Sequence, residues 1–196
     1  MFVDIEGWSR CNPRDRRIAA VLERCEMATL LPDLLTPGEQ RRDTLTVANS
    51  FDLPLLVRRL IGTLEWLRGQ PEVAGLPVGI FGVGMGAVVA FGAAARIPDV
   101  RAIVSHAGTM DNGGYLPTSI LTPTLMTVPD GDTASLNLVR KAEKKMICAH
   151  RIERIPAIAR SPGGLDETDV LANLIVPWFK LRLVEGNRRD VVVPRR

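Results

Sequence analysis

Two rhythms of apolar residues alternate along the chain. Short runs at Phe2–Ile5, Ala28–Pro32, Val78–Phe81, Val100–Ser105, Thr124–Val128 and His150–Ile155 predict strands. Between them, helical patterns lie around residues 14–26, 51–68, 86–96, 134–147 and 165–183. Strand followed by helix, repeated, predicts a mostly parallel sheet covered on both faces, the three-layer α/β arrangement. The clearest helix is 51–68, where Asp52 can cap and Pro54 falls in the first turn. Its Leu53, Leu56, Val57, Leu60, Ile61, Leu64 and Leu67 share one face, which is core and carries no functional implication. Pro177 lacks a backbone N–H, so a kink or an early end is expected in the last helix. Gly108–Ser119 is glycine-rich without periodicity and reads as a long loop. The expected organisation is one domain over 1–185 with a basic tail over 186–196, and no internal repeat.

Composition narrows the function. A chain of 196 residues, 46% hydrophobic, can bury a sizeable core. The net charge of +3 comes from scattered arginines and a terminal Arg195-Arg196 pair. No basic stripe is interleaved with aromatics, so nucleic acid is not an expected partner. No run approaches the roughly 18 apolar residues of a membrane span, and no basic segment precedes an apolar stretch at the amino terminus. Cys11, Cys25 and Cys148 are odd in number and widely spaced, which suits neither a disulfide framework nor a zinc site. A reducing cytoplasm is expected, with no metal and no cofactor.

The chemistry concentrates in GIFGVGMGAVVA, residues 79–90, an apolar run that turns on glycines into a helix of small residues. Gly82, Gly84 and Ala87 fit G-x-G-x-x-A, a variant of the dinucleotide fingerprint. That site needs an acidic residue at the end of the next strand, and here the strand ends Ser105-His106. The same stretch also reads as Gly82-x-Gly84-x-Gly86, the strand–turn–helix of a nucleophile elbow with glycine where serine or cysteine normally stands. A glycine at that position relieves the strain a side chain would suffer.

The chain resembles the dienelactone hydrolase-like branch of the α/β-hydrolases. The resemblance rests on ATLLPDLLTPGEQ, FDLPLLVRRLIGTLEWLRGQPEVAGLPVGIFGVGMGA, VRAIVSHAGTMD, TPTLMTVPDGDT and HRIERIPAIARSPGGLDETDVLANLIVPWF, in family order from about residue 10 onward. It implies an α/β-hydrolase sheet lacking the additional first strand or hairpin of relatives. It also locates the catalytic positions: Gly84 at the nucleophile, Asp132 at the acid with Asp130 as a shifted alternative, and Arg160 at the histidine. Arginine stays protonated and has no acceptor for a proton. The oxyanion segment of relatives corresponds to DIEGWSR, which retains Gly7. An anionic Asp4 or Glu6 there would oppose a developing oxyanion unless it points away. The resemblance therefore implies a family member without a working triad, acting as a binding or self-associating domain. The ligand pocket would be lined by Gly7, Met85 and His106 and would suit a small anion, with Arg160 free to pair with Asp132. A homo-oligomer would form through the sheet edge where the missing first strands would have paired.

An active hydrolase of a small ester or lactone with substitute groups is the alternative. His106, at a strand end, could act as a base, though a surface or loop position is the plainer expectation. His150 starts a strand at the opposite edge, and Cys148 beside it is expected to be buried. Cys11 near Arg10 and Arg14 is expected to be a solvent-exposed thiol. Ser105 and Ser161 have no glycine elbow.

Overall fold

The surest predicted helix forms as its sequence requires. The Asp52 carboxylate accepts from the Leu55 N–H at 3.0 Å, Pro54 occupies the first turn, and Leu56, Val57, Leu60 and Leu64 are buried. The computed structural model describes residues 1–5, 9–46, 48, 50–108, 119–156 and 166–185. Five strands form one parallel sheet: β1 (Phe2–Asp4), β2 (Val78–Val83), β3 (Val100–His106), β4 (Thr124–Pro129) and β5 (His150–Ile155), lying side by side in chain order.

Six helices accompany them: α1 (Pro13–Arg24), α2 (Pro37–Thr46), α3 (Leu53–Arg68), α4 (Met85–Ala94), α5 (Thr133–Glu143) and α6 (Glu167–Phe179). Parallel neighbours joined by crossovers of one hand put their connecting helices on one face. Residues of α3, α4 and α5 accordingly share an apolar cluster with Val3, Ile80, Ile103, Met126 and Val128. On the other face, α1 and α6 pack with Phe2, Phe81, Val104, Leu125 and Ile155. Phe2 and Phe81 meet edge to face, ring centroids 5.5 Å apart. Alternate residues of each strand thus feed alternate cores, the pattern a doubly covered sheet demands. Helix α4 lies between layers with Gly86 through Ala93 all buried, which accounts for its unbroken run of small and apolar residues.

Three expectations need correction. Ala28–Pro32 is not a strand; its link to the sheet is a bond from the Phe2 N–H to the Leu30 carbonyl at 2.9 Å. Proline at position 32 cannot donate to a ladder, and the segment turns over the sheet edge from the α1 face to the α3 face. Helix α2 went unpredicted because its sequence, PGEQRRDTLT, has almost no apolar stripe. It starts at a capping arrangement in which the Thr36 N–H and hydroxyl both donate to Glu39, and Glu39 also binds Arg59 of α3. Pro177 does not end α6, which runs two residues further and then continues in π-type bonding over Lys180–Glu185. The loop residues 109–118 and the tail 186–196 lie outside the described residues, as do Glu6, Gly7, Arg160 and Ser161.

Candidate functional site

Side chains with chemistry gather at the carboxyl ends of β2, β3 and β4. After Val83 the chain reverses at Gly84, which has φ 52° and ψ −118°, and enters α4 at Met85. Side-chain-bearing residues rarely adopt that backbone conformation. The turn is also tight in space. A Cβ on Gly86 would stand 1.9 Å from the Val3 carbonyl oxygen, and one on Gly82 would stand 2.6 Å from the Ala87 Cα. Two glycines therefore let α4 lie against β1 and β2, and a third takes the strained corner. The Gly84 N–H donates to the His106 carbonyl at 2.9 Å, which ties the corner to the end of β3. Met85, the first helical residue, is partly buried, and helix geometry leaves its N–H without an acceptor in the helix.

His106 is buried, 4% exposed, and this corrects the expected surface or loop position. It shares the α1/α6 side of β3 with Ala102 and Val104. Its Nδ1 lies 3.0 Å from the Thr127 hydroxyl of β4, and its Nε2 lies 3.4 Å from the Glu167 carboxylate at the start of α6. Burial foremost, with the positive charge of Arg14, pushes its pKa down to about 4. Glu167 pulls the other way, but its side chain is half exposed and water screens it. The Thr127 hydroxyl donates to the Ser105 carbonyl at 3.2 Å, so it accepts from His106, and the neutral ring carries its proton on Nδ1.

The acidic candidates have other partners. Asp132 caps α5, accepting from the Ser135 N–H at 2.9 Å; the Ser135 hydroxyl foremost, and that N–H with it, hold its carboxyl below the usual range. Asp130 pairs with Arg154 of β5 at 2.8 Å. Gly131 between them has φ 90°. Asp4 points away from the turn toward α1, where it accepts from Asn12 at 3.0 Å and from Arg14 at 2.7 Å. Arg14 also binds Asp15, which is fully buried.

Sequence reasoning missed Gly108 as a neighbour of the turn. A Cβ there would stand 2.3 Å from that of Ala87 and 2.9 Å from the Gly84 carbonyl oxygen, so the chain leaving β3 closes directly over the corner. The glycine in SHAG, at the end of a predicted strand, was the available signal. Thr127 was missed as well, because a threonine inside a strand looks like ordinary sheet. Cys11 is exposed, as expected, and Cys148 is partly buried, which pushes its thiol up. His150 begins β5, far along the sheet from the turn, with its Nδ1 2.8 Å from the Cys148 carbonyl. Among the described residues no group of three His, Cys, Asp or Glu could hold a metal ion, and no helix is long and apolar enough to cross a membrane.

Comparison with known proteins places this geometry. Residues 62–146 match the family model described as BAAT / Acyl-CoA thioester hydrolase C terminal. A Mycobacterium tuberculosis protein named "Putative phosphoribosyl transferase" is 39% identical over 184 residues, which is 91% of this chain and 40% of that protein. The chain thus spans well under half the length of the curated relatives it matches. Among solved structures, a dienelactone hydrolase-like promiscuous phosphotriesterase from metagenomic libraries has a TM-score of 0.67 at 18% identity, covering 92% of this chain and 84% of the other. That likeness is one of fold. A dienelactone hydrolase from Anabaena variabilis has a TM-score of 0.80 and 34% identity, covering 89% of this chain and 81% of the other. With that identity carried across both chains, the protein belongs to the dienelactone hydrolase-like family of α/β-hydrolases.

Proposed function

We propose that this chain is a dienelactone hydrolase-like protein that has lost hydrolysis and acts by binding. The observation that carries the reading is Gly84: it holds a backbone conformation that strains any other residue, yet presents no side chain. Holding a serine there would cost about 1–3 kcal/mol, which is worthwhile only for a working nucleophile. The turn is read as a nucleophile elbow that has kept its shape. Asp132, at the acid position, is engaged as a helix cap. Arg160, at the histidine position, offers no acceptor for a proton. Loss of a triad's nucleophile or base can cost as much as about 10⁶-fold in turnover.

Binding would use either of two features of this scaffold. One is the start of α4 at Met85, where backbone N–H groups and the helix dipole favour a small anion. The other is association with a second copy of the chain. Phosphoribosyl transfer is not part of the reading: the relatives bearing that name extend far beyond the 40% that matches here.

One observation favours a second reading, an active hydrolase of a small ester or lactone with substitute residues. Thr127, His106 and Glu167 stand in the order hydroxyl, imidazole, carboxylate. Their burial argues against it, since Thr127 is 1% exposed and offers no approach to a substrate.

Turnover of a short activated aryl ester and of a lactone separates the two. Native protein is expected at background, Gly84→Ser alone likewise, and any gain should be confined to Gly84→Ser with Arg160→His. Native turnover that survives repurification and vanishes in His106→Ala would overturn the non-catalytic reading.

A further inference from the structure

The outer edge of β5 has a sequence that complements itself. Among the described residues, β5 pairs with β4 alone. The Ala149 and Ile155 carbonyls accept from the N–H groups of Thr124 and Asp130, so those two residues turn their backbone toward β4. With a period of two, Arg151 and Glu153 do the same, while His150, Ile152 and Arg154 direct N–H and C=O to the outer side.

We propose that a second copy of this chain adds to that edge, antiparallel, across a two-fold axis at Ile152. The occupant follows from the register. Ile152 would face its own copy in a hydrogen-bonded pair, with the N–H and C=O of each exchanged. The flanking pair is Arg151 opposite Glu153 of the copy, repeated on the other side of the axis. That pair falls at a non-hydrogen-bonded position, where side chains approach most closely. Within one chain Arg151 already meets Glu153, both on the α6 side of the sheet, so the dimer brings together two such pairs.

The outer positions raise no like-charge conflict. Arg154 would face His150 of the copy, but Asp130 holds Arg154 at 2.8 Å and Glu143 lies 3.8 Å from His150. Edges guarded against association usually carry charge of one sign, which repels a copy of the same strand. Here opposite charges are mirrored about the central residue, so a copy is attracted. The contact is isologous and closes on itself, making a dimer and not a fibre. It rests on the self-association arm of the proposed function and names its surface; the hydrolysis assay is indifferent to it, so either can fail alone.

Sedimentation equilibrium of the full chain across a hundredfold concentration range tests it. Native protein is expected to dimerise. Arg151→Glu and Glu153→Arg each set like charges against one another and should weaken the dimer at least about tenfold. Combining the two restores opposite charges in reversed order and should return the dimer. Circular dichroism checks that each variant folds. A native chain that stays monomeric throughout, or a dimer untouched by the single charge reversals, would overturn the proposal; so would a double variant that folds but does not re-associate.

Discussion

At the end of β2 the backbone of Gly84 sits at φ 52°, ψ −118° with no side chain to use the position. At the end of β4, two strands away along the same edge, Asp132 has its carboxylate but directs it at the Ser135 N–H. One turn holds a strained backbone without a side chain; the other holds a carboxylate that is bound to the start of a helix. Shape is held by packing that many residues share, because α4 cannot lie against β1 unless residue 86 has no side chain. A carboxylate's partner is set by one or two hydrogen bonds, so it changes with little effect on the fold. If catalysis is lost, as proposed, the two should differ in what substitution costs.

The largest effect is expected at Gly86. Its Cβ would stand 1.9 Å from a backbone oxygen of β1, which cannot rotate aside, so Gly86→Ala should destabilise by about 3 kcal/mol or more. Gly84→Ala, where the cost is backbone strain, should lose about 1–3 kcal/mol. Urea unfolding measures both. If Gly86→Ala proves the milder of the two, close packing is not what preserves the turn.

His106 joins the two turns, its carbonyl bonded to Gly84 and its ring to Thr127 of β4, and it gives the next effect. Its folded pKa, about 4, lies below the ordinary 6.5, so protonation favours the unfolded chain. The stability from a neutral ring is complete above about pH 6.5 and drains away as pH falls toward 4. The difference across that window is about 3 kcal/mol. Unfolding free energies at pH 7 and pH 4 should diverge by that order between native protein and His106→Gln. Parallel losses would mean that the ring is not held neutral by its surroundings.

Strands and helices were legible where one signal dominated. The α3 face, with Asp52 and Pro54 ahead of it, reads directly as a capped amphipathic helix, and β2 to β4 are apolar because both of their faces are covered. Helix α2 was not legible, since it is held by Thr36, Glu39 and Arg59 and hardly by an apolar stripe. The glycine corner was visible because close approach and positive φ both select glycine, a residue the sequence shows plainly. The His106 site was not: its partners Thr127 and Glu167 are 21 and 61 positions away and belong to different layers, so no local spacing announces them. Asp132 was visible as a residue but not in its use, because a sequence gives the carboxylate and leaves the choice between capping and catalysis to distances.

That choice gives the smallest effect and the sharpest use of the comparison. As a helix cap, Asp132 needs an oxygen near the Ser135 N–H and little else, so Asp132→Asn should leave thermal stability nearly unchanged, since asparagine caps as well as aspartate. Asp132→Ala removes the acceptor and should lower the Tm by roughly 2–4 °C. The depressed carboxyl pKa adds a pH signature: its share of stability is present above the ordinary carboxylate value and is lost as pH falls through the folded one. Thermal scans of the three proteins at pH 7 and pH 3 read both effects. An alanine variant as stable as the native chain would show that the cap contributes nothing, and would reopen the carboxylate for a role at the neighbouring turn.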